Sequence, residues 1–529
     1  MNRYLLDCTL RDGGYVNDWK FGADNIAYLF ERQVSSGADV IELGFLNERR
    51  TYDPDRTIQP DTQALNRIFG GLEKGNALTV AMIDYGTCSL PHIQPQKETC
   101  IDGIRVIFKK EKMREAIAFC REVKALGYRM FVQAVSITSY NDEELLELMR
   151  LVNDCMPYAM SMVDTYGLLD AKGLAHIRGI VNENLDRRII LGYHAHNNFQ
   201  LGYANAVSFM NEEYDRDILI DGTLYGMGKS AGNAPIELIA MYMNSVFGKK
   251  YDVLQMQEAI STCILDIYNE KPWGYTLFYY IAAANRCHPD YVAYLMNKRT
   301  LSVSAINEIL SQIPEEEKLG KNMKLMERLY LEYQKTDCDD AGALAELRTF
   351  LSGKEILMIG PGPQAMKQKE KITGYIAQHR PCVIAINYLP KDIPVDSIFL
   401  TNSKRYSQLA GRLPKEPEIP VIATSNVRSA GGRFPYTVNF ESLIDENADF
   451  PDNSMVMLLK LIRECGAARA VLAGFDGYSP DDINYFDRSK EYNFVKEKAE
   501  SLNGYARDFI AQYRRDIPTE FLTESYYEM

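Results

Sequence analysis

The chain has 529 residues, more than one hydrophobic core usually serves, and its formal net charge of −13 with a pI near 5.2 argues against a chain-wide footprint for nucleic acid or an anionic membrane. No apolar run reaches the roughly 18 residues of a membrane span, and the opening Met-Asn-Arg-Tyr-Leu-Leu-Asp-Cys is too short and too soon charged for a signal peptide. Ten cysteines without a Cys-x-x-Cys fit reduced thiols better than disulfides or zinc, so a cytoplasmic protein with no nucleic-acid partner and no membrane span is expected.

Short β-type runs centre near residues 6, 41, 81, 105, 132, 161, 191 and 219, with amphipathic helical segments such as 24–36, 111–126, 142–155 and 199–210 between them. This alternation predicts an α/β fold, an N-terminal (β/α)8 TIM barrel over 1–235. Barrel chemistry sits at the carboxyl ends of the strands, and polar residues fall there: Arg11-Asp12, Glu42, Asp84, Gln133, Asp164-Thr165, His194, His196 and Asp221. Residues 236–345 read as a helical extension, with the aromatic run Trp273–Tyr280 inside it, followed by an acidic linker at 336–345. A second β-like start at Glu355–Pro363, with further apolar runs at 382–387, 396–400, 420–424 and 469–475 and a last helix near 488–514, predicts a Rossmann-like open α/β domain over 346–529.

His194 and His196 lie two apart on one strand and so share a face, and one divalent ion can take both while Asp12 supplies a hard anionic oxygen. The glycines at 226, 228 and 232 let the following loop fold tightly and aim the Asn233 side-chain oxygen at the same ion. A competing reading of that loop is a phosphate grip, common after strands 7 and 8 of such barrels. Such a site suits carbonyl chemistry: a 2-oxo acid chelates an ion such as Mn²⁺ or Mg²⁺, and Arg11 reaches the same oxygen as a fixed cation. Glu42 then serves either as the partner that holds Arg11 or as a barrel-end salt bridge for stability alone.

Asp7-x-Thr-Leu-Arg-Asp-Gly13, Glu42, Asp164-Thr-Tyr-Gly167, His194-Ala-His-Asn197 and Asn233-Ala-Pro235 together resemble the DRE-TIM metallolyase superfamily, which includes 3-hydroxy-3-methylglutaryl-CoA lyase, isopropylmalate synthase and 4-hydroxy-2-oxovalerate aldolase. Residues 191–206 and 231–235 are most similar to the pyruvate-forming aldolases. The resemblance implies metal ligation by Asp12, His194 and His196, with Asn233 a weaker fourth ligand, and enolate stabilisation by Arg11, while Asp84, Gln133 and Thr165 are expected to contact substrate from their places at the strand ends. It implies an aldolase joining or splitting a 2-oxo acid and an aldehyde, in a homodimer. Where those aldolases carry a His three residues after the ligand Asp, this chain has Tyr15, which can be a base only if its pKa falls and otherwise positions or donates. Tyr275, in a segment resembling the one that brings an active-site tyrosine, competes with its reading as a packing aromatic, and His288 is a weaker candidate.

Rival readings are a Claisen-type synthase using an acyl-CoA and a 2-oxo acid, and a non-catalytic carbohydrate-pathway module. In the second domain Ile-Gly-Pro-Gly-Pro363, Asn387 and the segment ending in Asp476-Gly477 resemble sialyltransferase-like nucleotide-sugar domains. That resemblance implies a nucleotide-sugar partner held at Gly360, Gly362, Asn387 and Asp476, with a scaffold role as the alternative.

Overall fold

A computed structural model describes residues 1–298, 300–336, 338–411, 419–427, 434–445, 450–479, 484 and 499–528, and these divide into two compact units, Met1–Pro289 and Asp290–Met529. In the first unit the strands are β1 (Arg3–Asp7), β2 (Val40–Leu46), β3 (Ile58–Gln59), β4 (Leu78–Asp84), β5 (Gly103–Phe108), β6 (Arg129–Ala134), β7 (Ala159–Asp164), β8 (Ile190–Ala195) and β9 (Ile218–Gly222). Every pairing is parallel. The order β1-β9-β8-β7-β6-β5-β4-β2 closes through β1–β2 into an eight-stranded barrel, and the two-residue β3 is an appendage on β2 that the periodicity did not show.

The helices form where their apolar spacing turns one face inward. Ala23–Ser36 buries Ile26, Leu29, Phe30 and Gln33, and Asp142–Cys155 buries Leu145, Leu148, Met149 and Val152 behind an Asn141–Glu144 capping box. Outward strand residues such as Leu5, Ile41 and Ala81 meet these helices in one continuous core.

Inward residues stack in layers. Leu6, Val40, Val80, Phe131, Ala159, Ile190 and Leu219 make an apolar floor. Nearer the carboxyl ends, the same faces of the strands present Glu42, Arg105, Gln133, Ser161, His194 and Asp221, all buried.

The contact boundary at 289/290 differs from the composition-based boundaries at 235 and 345. Ile236, Ile239, Met243, Met256 and Ile264 belong to the barrel's own core, so the helices after 235 complete its outer layer. The expected linker is partly helical, because Ala341–Leu351 buries Leu347 and Leu351.

The second unit has β10 (Glu355–Ile359), β11 (Cys382–Ile386), β12 (Ser397–Leu400), β13 (Val421–Thr424), β14 (Tyr436–Val438), β15 (Arg469–Ala473) and β16 (Thr519–Phe521) in one parallel sheet of order β14-β13-β12-β11-β10-β15-β16. Both faces are covered. Ile356 and Met358 pack toward Leu347, Leu461 and Ile510, while Leu357 and Ile359 pack toward Ala365 and Ile372. β14 and β16 have three residues each, too short for an alternation to register. The last helix is Ala499–Tyr513, and the expected turns at 488–498 lie outside the described residues. No helix among the described residues is long and apolar enough to cross a membrane, and all ten cysteines are free.

Candidate metal centre

After β1 the chain makes one wide helical turn, Thr9–Gly13, that carries Arg11 and Asp12. Asp7 pins its start: its carboxylate accepts from Thr9 N (3.1 Å), Thr9 Oγ1 (2.7 Å) and Gln33 Nε2 (2.9 Å). Trp19 Nε1 donates to the Arg11 carbonyl at 2.7 Å and holds its far side. Asp12 Oδ1 accepts from Asn233 Nδ2 (2.9 Å) and Lys229 N (3.1 Å). Asp12 Oδ2 pairs with Arg11 and lies 3.6 Å from His194 Nε2 and 4.0 Å from His196 Nε2.

Asn233 arrives through a bridge between its backbone and that of His196. Gly228 is required there: a Cβ would sit 2.1 Å from Asn233 Nδ2 and 2.6 Å from Asp12 Oδ1. The loop's donors are already spent on the protein, Lys229 N on Asp12 and Ala231 N on Asn198, which removes the basis for a phosphate grip.

Ligand atoms of Asp12, His194 and His196 lie within 4.8 Å of one another, all buried. Asn233 Oδ1 is buried without a hydrogen-bond partner, a costly arrangement that a cation beside it would relieve. The donor set, one carboxylate and two imidazoles, fits a divalent cation. A second group, Cys8, His194 and Asp221, is a poorer fit. Burial holds the Cys8 thiol protonated, and Asp221 is engaged by Arg105.

Protonation follows from the geometry. Burial would raise Asp12, but Arg11 and the two imidazoles hold it well below the carboxylate range. His196 is driven down to about 3 by burial, so its ring is neutral and able to ligate. For His194, burial is outweighed by Asp12 and Asp221, and its pKa rises. Asp221 Oδ2 lies 3.0 Å from His194 Nδ1, which leaves Nε2 toward Asp12, the arrangement by which a second carboxylate orients a ligating histidine.

Beneath these lies Arg105, 0% exposed, whose guanidinium donates to Glu42 Oε2 (3.0 Å), Gln133 Oε1 (3.0 Å) and Asp221 Oδ2. Glu42 Oε2 also accepts from Arg11 Nε at 2.7 Å, so a chain of alternating charge runs Arg11–Glu42–Arg105–Asp221–His194. Sequence reasoning missed Arg105 and left Asp221 without a role. The available signal was an Arg at the inward position of the apolar strand Gly103-Ile-Arg-Val-Ile-Phe108.

The other candidates disperse. Gln133 is consumed by Arg105 and by Ser161 Oγ (3.1 Å), and Thr165 Oγ1 accepts from Ser136 N (2.7 Å). Asp164 caps Leu168 N and Leu169 N, and Asp84 ends β4 as an exposed carboxylate. Tyr15 lies at the mouth, its ring 4.8 Å from that of Trp19 and 5.7 Å from Lys229 Nζ. Burial and Asp12 push its phenol upward against Arg11, so it is not a base of lowered pKa but a protonated donor. Lys229 Nζ also lies 5.4 Å from the Tyr166 ring, which meets His288 edge-on. Tyr275 is 54% exposed with no hydrogen bond or ring contact among the described residues, because Trp273 takes the buried place beside Tyr225 and Tyr268.

In the second unit the glycine turn is filled from within. Asp476 Oδ2 accepts from Gln364 N at 2.8 Å, and a Cβ on Gly362 would lie 2.6 Å from Asp476 Oδ1, so the backbone approach expected for a phosphate is made to Asp476 instead. The Asn387 amide joins Thr401 and Ser454.

The rim of a closed parallel barrel gathers Asp12, His194, His196 and a braced arginine, a set of side chains that could hold a metal ion. Residues 98–262, within the barrel unit, match the HMGL-like family. The chain is 27% identical over 278 residues to a 4-hydroxy-2-oxovalerate aldolase of Chloroflexus aggregans, covering 51% of this chain and 77% of that protein. It is 22% identical over 243 residues to an oxaloacetate decarboxylase of Mycobacterium tuberculosis, covering 44% of this chain and 68% of that protein. A crystal structure of an HMG-CoA lyase from Bacillus subtilis aligns with a TM-score of 0.40 at 13% identity, over 51% of this chain and 94% of that one.

Proposed function

We propose that the barrel is a divalent-metal-dependent aldolase that forms or cleaves a 4-hydroxy-2-oxo acid, with pyruvate as its enolate on one side of the bond and Mn²⁺ or Mg²⁺ as the ion. The observation that carries this reading is the convergence of the buried ligand atoms of Asp12, His194 and His196 beside Arg11. When bound, the ion draws off the negative charge that develops on the keto oxygen of a chelated 2-oxo acid.

The chain's own residues do the rest. Arg11 faces the same oxyanion as a fixed cation, held by Glu42, which Arg105 anchors in turn. Tyr15 keeps its proton and donates it in a hydrogen bond to the oxygen of the 4-hydroxyl. The position of Lys229 against the rings of Tyr15 and Tyr166 supports an aldehyde partner bearing an anionic or strongly polar group.

Aldolase, decarboxylase and synthase chemistry all need a carbanion stabilised beside a carbonyl, which this corner suits. The test is exchange of the pyruvate methyl protons in deuterated buffer with Mn²⁺, followed by a panel of aldehydes and sugar aldehydes read by mass spectrometry. Exchange without CoA and an addition product support the aldolase. Exchange or condensation that strictly requires acetyl-CoA replaces it with the synthase, a reaction type found among the relatives in a probable 2-isopropylmalate synthase of Methanosarcina mazei. We read the second sheet as Rossmann-like, supported by its helices on both faces and the reversal of strand order between β10 and β15.

A further inference from the structure

The second unit contains a cavity of about 370 Å³, within the usual range for small-molecule sites, lined entirely by that unit's own residues. It lies over the carboxyl ends of the strands: Gly362 follows β10, Asn387 follows β11, Thr401 follows β12, Asn426 follows β13 and Asp476 follows β15. Strand order reverses between β10 and β15, and crevices at such points are where open parallel sheets take ligands.

Much of the polar lining is committed to itself. Asn387 Nδ2 donates to Thr401 Oγ1 (3.0 Å) and Ser454 Oγ (2.9 Å), and Asn426 Nδ2 donates to Gln334 Oε1 (2.8 Å). These bonds stiffen the wall. Two charged groups are left with unmet demands. Lys298 Nζ rests 5.0 Å and 4.8 Å from the Tyr294 and Tyr330 ring centroids and has no hydrogen bond or ion pair among the described residues. Asp476 Oδ1 is buried without a partner while Oδ2 is occupied by Gln364 N.

We propose that this cavity binds a small anion-bearing polyol, a sugar phosphate or a sugar acid, with its anionic group on Lys298 and a hydroxyl donating to Asp476 Oδ1. An ammonium over aromatic faces is a compact point charge suited to a phosphate or carboxylate. A buried carboxylate oxygen without a donor costs free energy until one arrives. Phe475, also in the lining, offers an apolar face to the ring carbons of such a ligand. The glycine turn is excluded as the anion seat, because Gly362 N already donates to Gly474 O at 2.9 Å and Gln364 N to Asp476. The site is independent of the barrel's proposed reaction.

The test is calorimetric titration of the full-length protein with glucose 6-phosphate, gluconate and inorganic phosphate, in the unaltered chain and in Lys298→Met and Asp476→Asn. Glucose 6-phosphate or gluconate should bind more tightly than inorganic phosphate, and Lys298→Met should weaken that binding roughly tenfold or more. Preference for the first probe assigns a phosphate to Lys298, and preference for the second a carboxylate. Asp476→Asn should also weaken binding, with its helix cap kept and the circular dichroism of the folded chain unchanged. Silence toward both polyols at millimolar concentration, or binding undiminished by Lys298→Met, overturns the proposal.

Discussion

Replacing Arg105 by Met tests whether the buried charge chain holds the site together. Arg105 is fully buried and is shared by Glu42 and Asp221, yet the two carboxylates do not lose equally. Glu42 keeps Arg11 at 2.7 Å, whereas Asp221 keeps only the His194 imidazole at 3.0 Å. The loss is therefore one uncompensated buried carboxylate, which costs about 3–5 kcal/mol, partly relieved if His194 takes a proton. Both tryptophans, Trp19 and Trp273, lie in the barrel unit, so their fluorescence in a guanidinium titration reports that unit alone. The expected result is a lower midpoint with weakened Mn²⁺ binding, since a protonated His194 cannot ligate. The double variant Arg105→Met/Asp221→Asn should recover part of the stability, because it removes the stranded charge along with its partner. A single variant within about 1 kcal/mol of the unaltered chain would refute the reasoning. So would a double variant less stable than the single one.

Gly228→Ala should abolish Mn²⁺ binding in calorimetry while the barrel stays folded, because its Cβ would displace Asn233 and Asp12 from one another. Asp221→Asn should weaken Mn²⁺ about 10- to 100-fold through loss of His194 orientation, and unchanged affinity would remove Asp221 from the site. Tyr15→Phe should leave Mn²⁺ affinity intact and slow aldol cleavage about 10²-fold, with no loss of rate at alkaline pH traceable to a lowered phenol in the unaltered chain. Burial raises the Asp476 carboxyl from 3.8 to about 6. Its stabilising contribution is thus complete below pH 3.8 and lost as pH rises through about 6. Asp476→Asn should remove this pH dependence, roughly 1–2 kcal/mol of unfolding free energy across that window after allowance for its partial exposure, measured by denaturant titrations at each pH.

The eight barrel strands were legible in the sequence because each is a short apolar run followed by an amphipathic helix, and their order follows from the right-handed crossovers that parallel neighbours require. The placement of Arg11, Asp12, His194 and His196 at one rim was legible too, since a strand end and a two-residue spacing on one face are local properties. Helices with apolar faces at regular spacing were placed within a few residues, as Asp142–Cys155 shows. Strands of two or three residues, β3, β14 and β16, left no alternation to read.

Other features depend on residues distant in sequence meeting in space. Arg105 gains its partners from β2, β6 and β9, so its role exists only once the barrel closes. Tyr275 and Trp273 stand two residues apart in one aromatic run, and packing against Tyr225 and Tyr268 buried the second and left the first in solvent. The glycine turn after β10 looks open to a phosphate until Asp476, from the far side of the strand-order reversal, occupies it. Backbone periodicity is written in neighbouring residues and can be read one segment at a time, whereas side-chain pairing in a buried layer is settled by which strands become adjacent.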